Sequence, residues 1–164
     1  MGDSPDLRGV DVAHPAVSDE TKAKLPREGI PIDQLSAIQP GMGKIMREVA
    51  VCYYYAYYAA KGGNWKLAAY QISRLRGAFR VAKVTRPKYA ADLDEFDRAH
   101  LVPILKAIQS KEWGTFEAAY GAGIEGSDQF HLKHGHDYIR FTLPEEPPRD
   151  LFLGPPGELK RRKD

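Results

Sequence analysis

Three histidines fall within six positions in the stretch GSDQFHLKHGHDYIRF, residues 126–141. His131 and His134 are three apart and share one helical face, while His136 lies beyond Gly135, a natural helix stop. Imidazole titrates near neutral pH, so such residues act as general acids or bases, as metal or haem ligands, or as cationic groups at the negative end of a helix dipole. A dedicated zinc or di-iron site needs three or four converging ligands, and the ferritin-like set of glutamates with Glu-x-x-His is absent. No dedicated metal site is therefore expected.

A second cluster is Asp97 with His100. Asp97 is four residues from Leu93 and Leu101, and His100 four from Phe96 and Ile104, so both fall near an apolar stripe. An inward carboxylate beside an imidazole shifts both pKa values and can move a proton. The plainer reading of Asp97 is a boundary ion pair with Arg98 or with an arginine of the preceding helix. His131, Asp97, His100 and His134 are the acid–base candidates. The run YYYAYY adds ring faces that stabilise positive charge and hydroxyls that donate hydrogen bonds. Consecutive tyrosines face every direction, so only Tyr53 and Tyr57 are expected toward the core, the others lying under the terminal segments.

Helical periodicity positions these groups. Met42, Ile45, Met46, Val49, Cys52, Tyr53, Ala56 and Ala60 make one apolar stripe, stopped by KGGN, with Asn64 as the cap of the next helix. Trp65, Ala68, Ile72, Leu75, Phe79 and Ala82 make the second stripe, ended by TRP. Tyr89, Leu93, Phe96, Leu101, Ile104 and Ile108 make the third, with a kink expected at Pro103. Ser110 is the expected cap of a fourth helix carrying Trp113, Phe116, Tyr120, Ile124, Ser127, His131 and His134. The predicted fold is all-α: an antiparallel four-helix bundle over residues 39–141, with an extended arm over 1–38 holding one short helix near Asp19–Leu25, and an extended tail over 142–164.

Composition narrows the partners. A net charge of +2 spread over 164 residues argues against nucleic acid as the main partner, and the basic end LKRRKD reads as a solvated terminus. The lone Cys52 rules out an internal disulfide or a cysteine zinc site. The longest apolar run, VAVCYYYAYYAA, is too short and too rich in tyrosine to span a bilayer. No leader is recognised at the N-terminus, so a cytoplasmic location is expected, or a periplasmic one if a leader has been removed. A homodimer is compatible with such a bundle.

The order of GMGKIM, AAKGGNWKLAAYQI, TRP and AAYGAGIEGSDQFHLKHGHDYIRF resembles that of small bacterial four-helix-bundle cytochromes c, of cytochrome c′-like architecture, over residues 40–148. In that family the fourth helix ends in CxxCH, which binds haem covalently through its cysteines and ligates the iron through its histidine. Here the corresponding residues are Ser127, Asp128, Gln129, Phe130 and His131, so covalent attachment is chemically excluded. The resemblance implies that His131 faces the ligand cavity and that Met42 or Met46 stands where the family has a second axial ligand. Two readings follow. One is a cofactor-independent lyase or isomerase that opens a ring or epoxide of a small apolar molecule in the vacated haem pocket, walled by Met42, Met46, Tyr53, Tyr57, Ile72, Phe79, Phe96, Tyr120 and Phe130. The other is a non-covalent haem protein with His131 and Met46 on the iron, serving electron transfer or gas binding. A non-catalytic bundle that binds a small ligand or a partner protein is a third.

Overall fold

The computed structural model describes residues 32–157. The chain divides into two compact units, Met1–Gln39 and Pro40–Asp164. In the first, α1 (Ile32–Ala37) is helical where the sequence suggested an extended arm. The helix expected near Asp19–Leu25 lies outside the described residues.

The second unit contains α2 (Met42–Lys61), α3 (Trp65–Thr85), a 3-10 turn (Pro87–Tyr89), α4 (Ala90–Phe96), a π turn (Asp97–Leu101), α5 (Val102–Ser110) and α6 (Trp113–Lys133). From α4 through the π turn to α5 the chain stays helical, so this unit has four long helical stretches, and no strand occurs among the described residues. The α2–α3 pair shares the largest interface, and α6 packs on α2, α4, the π turn and α5.

Local chemistry explains most of the boundaries. Asn64 caps α3 as expected, its Oδ1 accepting from the Leu67 N–H at 3.1 Å. Gly135, with φ at 72°, follows the end of α6 in a conformation that costs glycine little. Ser110 does not cap α6; its hydroxyl donates back to the Ala107 carbonyl at 3.0 Å, and Glu112 holds the cap position without a side-chain bond. Lys111 turns the chain between α5 and α6 with φ at 56°, left-handed despite its Cβ.

The kink expected at Pro103 is a π turn just before it. Val102 N–H reaches back five residues to the Asp97 carbonyl. Pro103 cannot donate a hydrogen bond, and in a regular helix its ring crowds the carbonyl four residues earlier. One extra residue in the preceding turn loosens that contact.

The core joins Cys52, Ala56, Ala59, Ala68, Ile72 and Leu75 to Leu101, Ile104, Phe116 and Tyr120. Burial of each large apolar side chain contributes about 1.5–3 kcal/mol. Cys52 is fully buried, and burial pushes its thiol pKa up, so it behaves as a small apolar group. Gln71 is the polar intruder: it is 2% exposed, and its Oε1 has no partner.

Residues 142–157 form neither helix nor strand and lie against the helices, where the tyrosine run holds them. Tyr54 donates to the Glu146 carbonyl at 2.6 Å, Tyr55 to Asp150 Oδ2 at 2.6 Å, and Tyr58 to the carbonyls of Pro144 and Glu145 at 2.7 and 2.6 Å. Its bond to Asp150 pushes the Tyr55 hydroxyl up to about 12. Leu153 lies so close to Gly62 that a side chain there would strike its backbone.

Candidate functional site at the end of the last helix

Helix α6 changes character along its length. Its first turns bury Phe116 and Tyr120, whose rings meet those of Trp65 edge-on, of Trp113 and Tyr57 at a tilt, and of Tyr53 face to face. Tyr53 and Tyr120 lie face to face at 4.1 Å, and each hydroxyl donates to the other residue's carbonyl, at 2.8 Å and 3.0 Å. Burial pushes both phenols well above the usual range, so neither ionises under ordinary conditions.

One turn further along, glycine lets the neighbouring helices approach. A Cβ at Gly123 would collide with the Tyr53 hydroxyl, and one at Gly126 with the His100 imidazole. His100 also lies against Phe96 at 4.8 Å, tilted. Phe96 in turn meets Phe79 and Phe130, each at 6.0 Å, so an aromatic chain runs from α3 through α4 to α6.

Past this point two buried polar atoms of α6 have no partner. His131 is half-buried, and its Nδ1 is shielded from solvent without a hydrogen-bond partner. Asp128, one turn back on the same face, has a buried Oδ1 in the same condition. Burial lowers the His131 pKa below its ordinary value, helped by His136 and His134. Asp128 and a backbone hydrogen bond with Ile139 act in the opposite direction. The result is an imidazole that is neutral at pH 7, with a free ring nitrogen and a carboxylate nearby. Buried polar atoms without partners are uncommon in folded proteins, and a catalytic role is one of the reasons for keeping them.

The other histidines go elsewhere. His134 Nε2 meets Asp92 Oδ2 at 2.6 Å, and Lys133 meets Asp92 Oδ1 at 2.6 Å. Those two contacts hold the Asp92 carboxyl below the usual carboxylate range. The His134 ring also sits edge-on to Tyr89 at 4.9 Å. His136 Nδ1 pairs with the Tyr138 hydroxyl at 3.0 Å. Among the described residues no group of three potential ligands converges on a metal position.

Asp97 and His100 are not brought together as an acid–base pair. Arg76 of α3 grips Asp97 through a hydrogen bond from Nη2 to Oδ2 at 2.8 Å and an ion-pair contact from Nε to Oδ1 at 2.7 Å that lacks hydrogen-bond alignment. This is the boundary ion pair that the sequence offered as the plainer reading, made with the preceding helix.

The expected pocket walls are also distributed. Tyr53, Tyr57, Ile72 and Tyr120 pack in the main core, and Met42 and Met46 lie against Ile45, Ala78 and Ala82. A cleft of about 170 Å³ opens between α3 and the α4–π segment, lined by Arg76, Phe79, Arg80, Lys83, Leu93 and Asp97. Of the acid–base candidates and expected pocket walls, only Phe79 and Asp97 reach it.

Sequence reasoning overlooked Asp128 and Asp92. In the sequence Asp128 stands only at an unspecified position of the stretch that replaces CxxCH, between Ser127 and Phe130, although the spacing Asp-x-x-His already puts it on the face of His131. Asp92 carried no local signal, because its partners are 41 and 42 positions away.

No family model, curated protein or solved structure matches the chain. No helix among the described residues is long and apolar enough to cross a membrane.

Proposed function

We propose that the chain is an antiparallel four-helix bundle of cytochrome c′-like architecture that has become a cofactor-independent acid–base enzyme, of lyase or isomerase type, with His131 as its proton-transferring group. The support is one observation: a neutral, half-buried imidazole whose Nδ1 has no partner, one helical turn from a carboxylate with an unpartnered oxygen. The unpartnered Nδ1 of such an imidazole is basic enough to accept a proton. The substrate class is a small, mainly apolar molecule with a strained ring ether, an epoxide being the simplest.

In this scheme His131 Nδ1 takes a proton from the carbon next to the ring ether. The C–H electron pair forms a C=C bond as the C–O bond breaks. The imidazolium, steadied by the Asp128 carboxylate, then returns its proton to the departing oxygen. Substrate and product are isomers, no redox partner is needed, and the imidazole is regenerated. Asp97, held by Arg76, has no part in this version.

Purified protein tested on a panel of small epoxides is expected to form allylic alcohols. His131→Ala should reduce kcat/KM by about 10²- to 10⁴-fold. With wild-type protein, kcat/KM should fall as pH drops, along a limb whose midpoint lies below the ordinary histidine value, because the lowered pKa keeps the base free further into acid. Turnover that survives His131→Ala would end the proposal.

The same free nitrogen also favours a second reading, a non-covalent haem that His131 and Met46 would hold. Met46 is partly buried among aliphatic neighbours, which suits a thioether donor, but neither residue lines the 170 Å³ cleft. A bound porphyrin would supply electron-transfer or gas-binding chemistry. A Soret band in purified protein, lost in His131→Ala and altered in Met46→Leu, would establish this reading over the first.

A further inference from the structure

The cleft between α3 and the α4–π segment is separate from the histidine end, since neither His131 nor Asp128 lines it. Its floor is apolar, made by Phe79 and Leu93, and its rim is basic, made by Arg76, Arg80 and Lys83 at helical spacing along one side of α3. Two of these cations are already matched: Arg76 by Asp97, and Lys83 by Asp94 at 2.6 Å. Among the described residues Arg80 has no acidic partner, and it stands between those two pairs.

We propose that this cleft is a binding site for a small carboxylate with a compact apolar body, the carboxylate on Arg80 and the body against Phe79 and Leu93. Arg76, one turn away, already holds a carboxylate, that of Asp97, through one hydrogen bond and a second ion-pair contact. A guanidinium presents a planar fork that matches a carboxylate better than a round anion does. The volume fits the apolar part, because a cavity of roughly 150 Å³ is large enough for one benzene ring. The floor argues against a bare inorganic anion, which gains nothing from Phe79 and Leu93. The rim argues against a neutral hydrocarbon, which leaves Arg80 without a counter-charge.

Benzoate is the direct probe. Titrated into the full-length chain and followed by amide NMR shifts, it is expected to saturate with a Kd on the order of 1 mM, the scale for one exposed ion pair and one ring contact. The shifts should concentrate at residues 76–83 and 93–97. Arg80→Gln, at an exposed position, should weaken binding about fivefold while leaving the thermal melt close to that of wild type. Lys66→Gln, elsewhere on α3, should leave it unchanged. Benzyl alcohol, with the ring but no charge, and phosphate, with charge but no ring, should both bind more weakly than benzoate. The proposal fails if benzoate gives no localised shifts at tens of millimolar, if Arg80→Gln binds it as well as wild type does, or if phosphate binds as tightly as benzoate. None of these outcomes depends on turnover at His131.

Discussion

The two halves of α6 differ in how completely their polar groups are matched. Around Tyr120, a buried hydroxyl pair closes on itself: Tyr53 and Tyr120 exchange bonds to each other's carbonyls across two helices. Around His131, a buried nitrogen and a buried carboxylate oxygen remain unmatched three residues apart. The first half is built for rigidity, because a fully satisfied polar pair inside an aromatic cluster fixes how the helices meet. The second keeps unmatched donor and acceptor capacity, which costs stability unless something else uses it. Comparing the two separates residues that hold the fold from those available for chemistry.

The strongest test of this contrast is Gly123→Ala. The new methyl meets the Tyr53 hydroxyl, which stacking on Tyr120 prevents from moving away. Overpacking of this kind should lower stability by about 1–3 kcal/mol, outweighing the roughly 0.8–1.0 kcal/mol of helix propensity that alanine gains over glycine. A thermal melt at or above wild type would show that the tyrosine end is less tightly packed than its geometry indicates.

Next in size is Tyr53→Phe, which removes one hydroxyl of the reciprocal pair and should cost about 0.5–1.5 kcal/mol in a denaturant titration. Tyr120→Phe should cost a similar amount, and the double variant less than the sum, because each change already disturbs the shared geometry. Asp128→Asn is expected to stay within about 0.5 kcal/mol of wild type, since no bond in the folded chain depends on its buried oxygen. Equal losses at the two ends would erase the contrast.

Another small effect concerns Asp92, which ties the histidine end of α6 to α4. Its folded pKa is lowered by Lys133 and His134, so its contribution is present above the unfolded value near 3.9 and is lost as pH falls through the folded value. Asp92→Asn should lower stability by roughly 0.5 kcal/mol at pH 7, with the gap to wild type closing below pH about 4. A gap that stays constant to pH about 2 would mean that the carboxylate charge is not what holds the two elements together.

Several of these features were readable in the chain beforehand. The third apolar stripe steps by five between Phe96 and Leu101, where a regular helix steps by three or four, and the π turn fills that interval. Asn64 and the glycines of KGGN marked a real boundary, because capping depends on residues within one turn of each other. Gly123 and Gly126 were visible as small residues on α6, but nothing in the sequence said which side chains would lie on them. His131 and His134 share a face and still separate: His134 turns to Asp92, while His131 keeps a free nitrogen; His136, beyond Gly135, pairs with Tyr138.

The sequence by itself determined an all-helical chain, the positions of its long helical stretches and the buried face of each. Those properties follow from helical periodicity and local capping, which act over a few residues. Only the tertiary structure decided which polar groups find partners. Arg76 with Asp97, His134 with Asp92 and Tyr53 with Tyr120 are pairings between helices, set by how the backbones approach and rotate against each other. Periodicity places a side chain on a face, but what it meets there depends on the neighbouring helix.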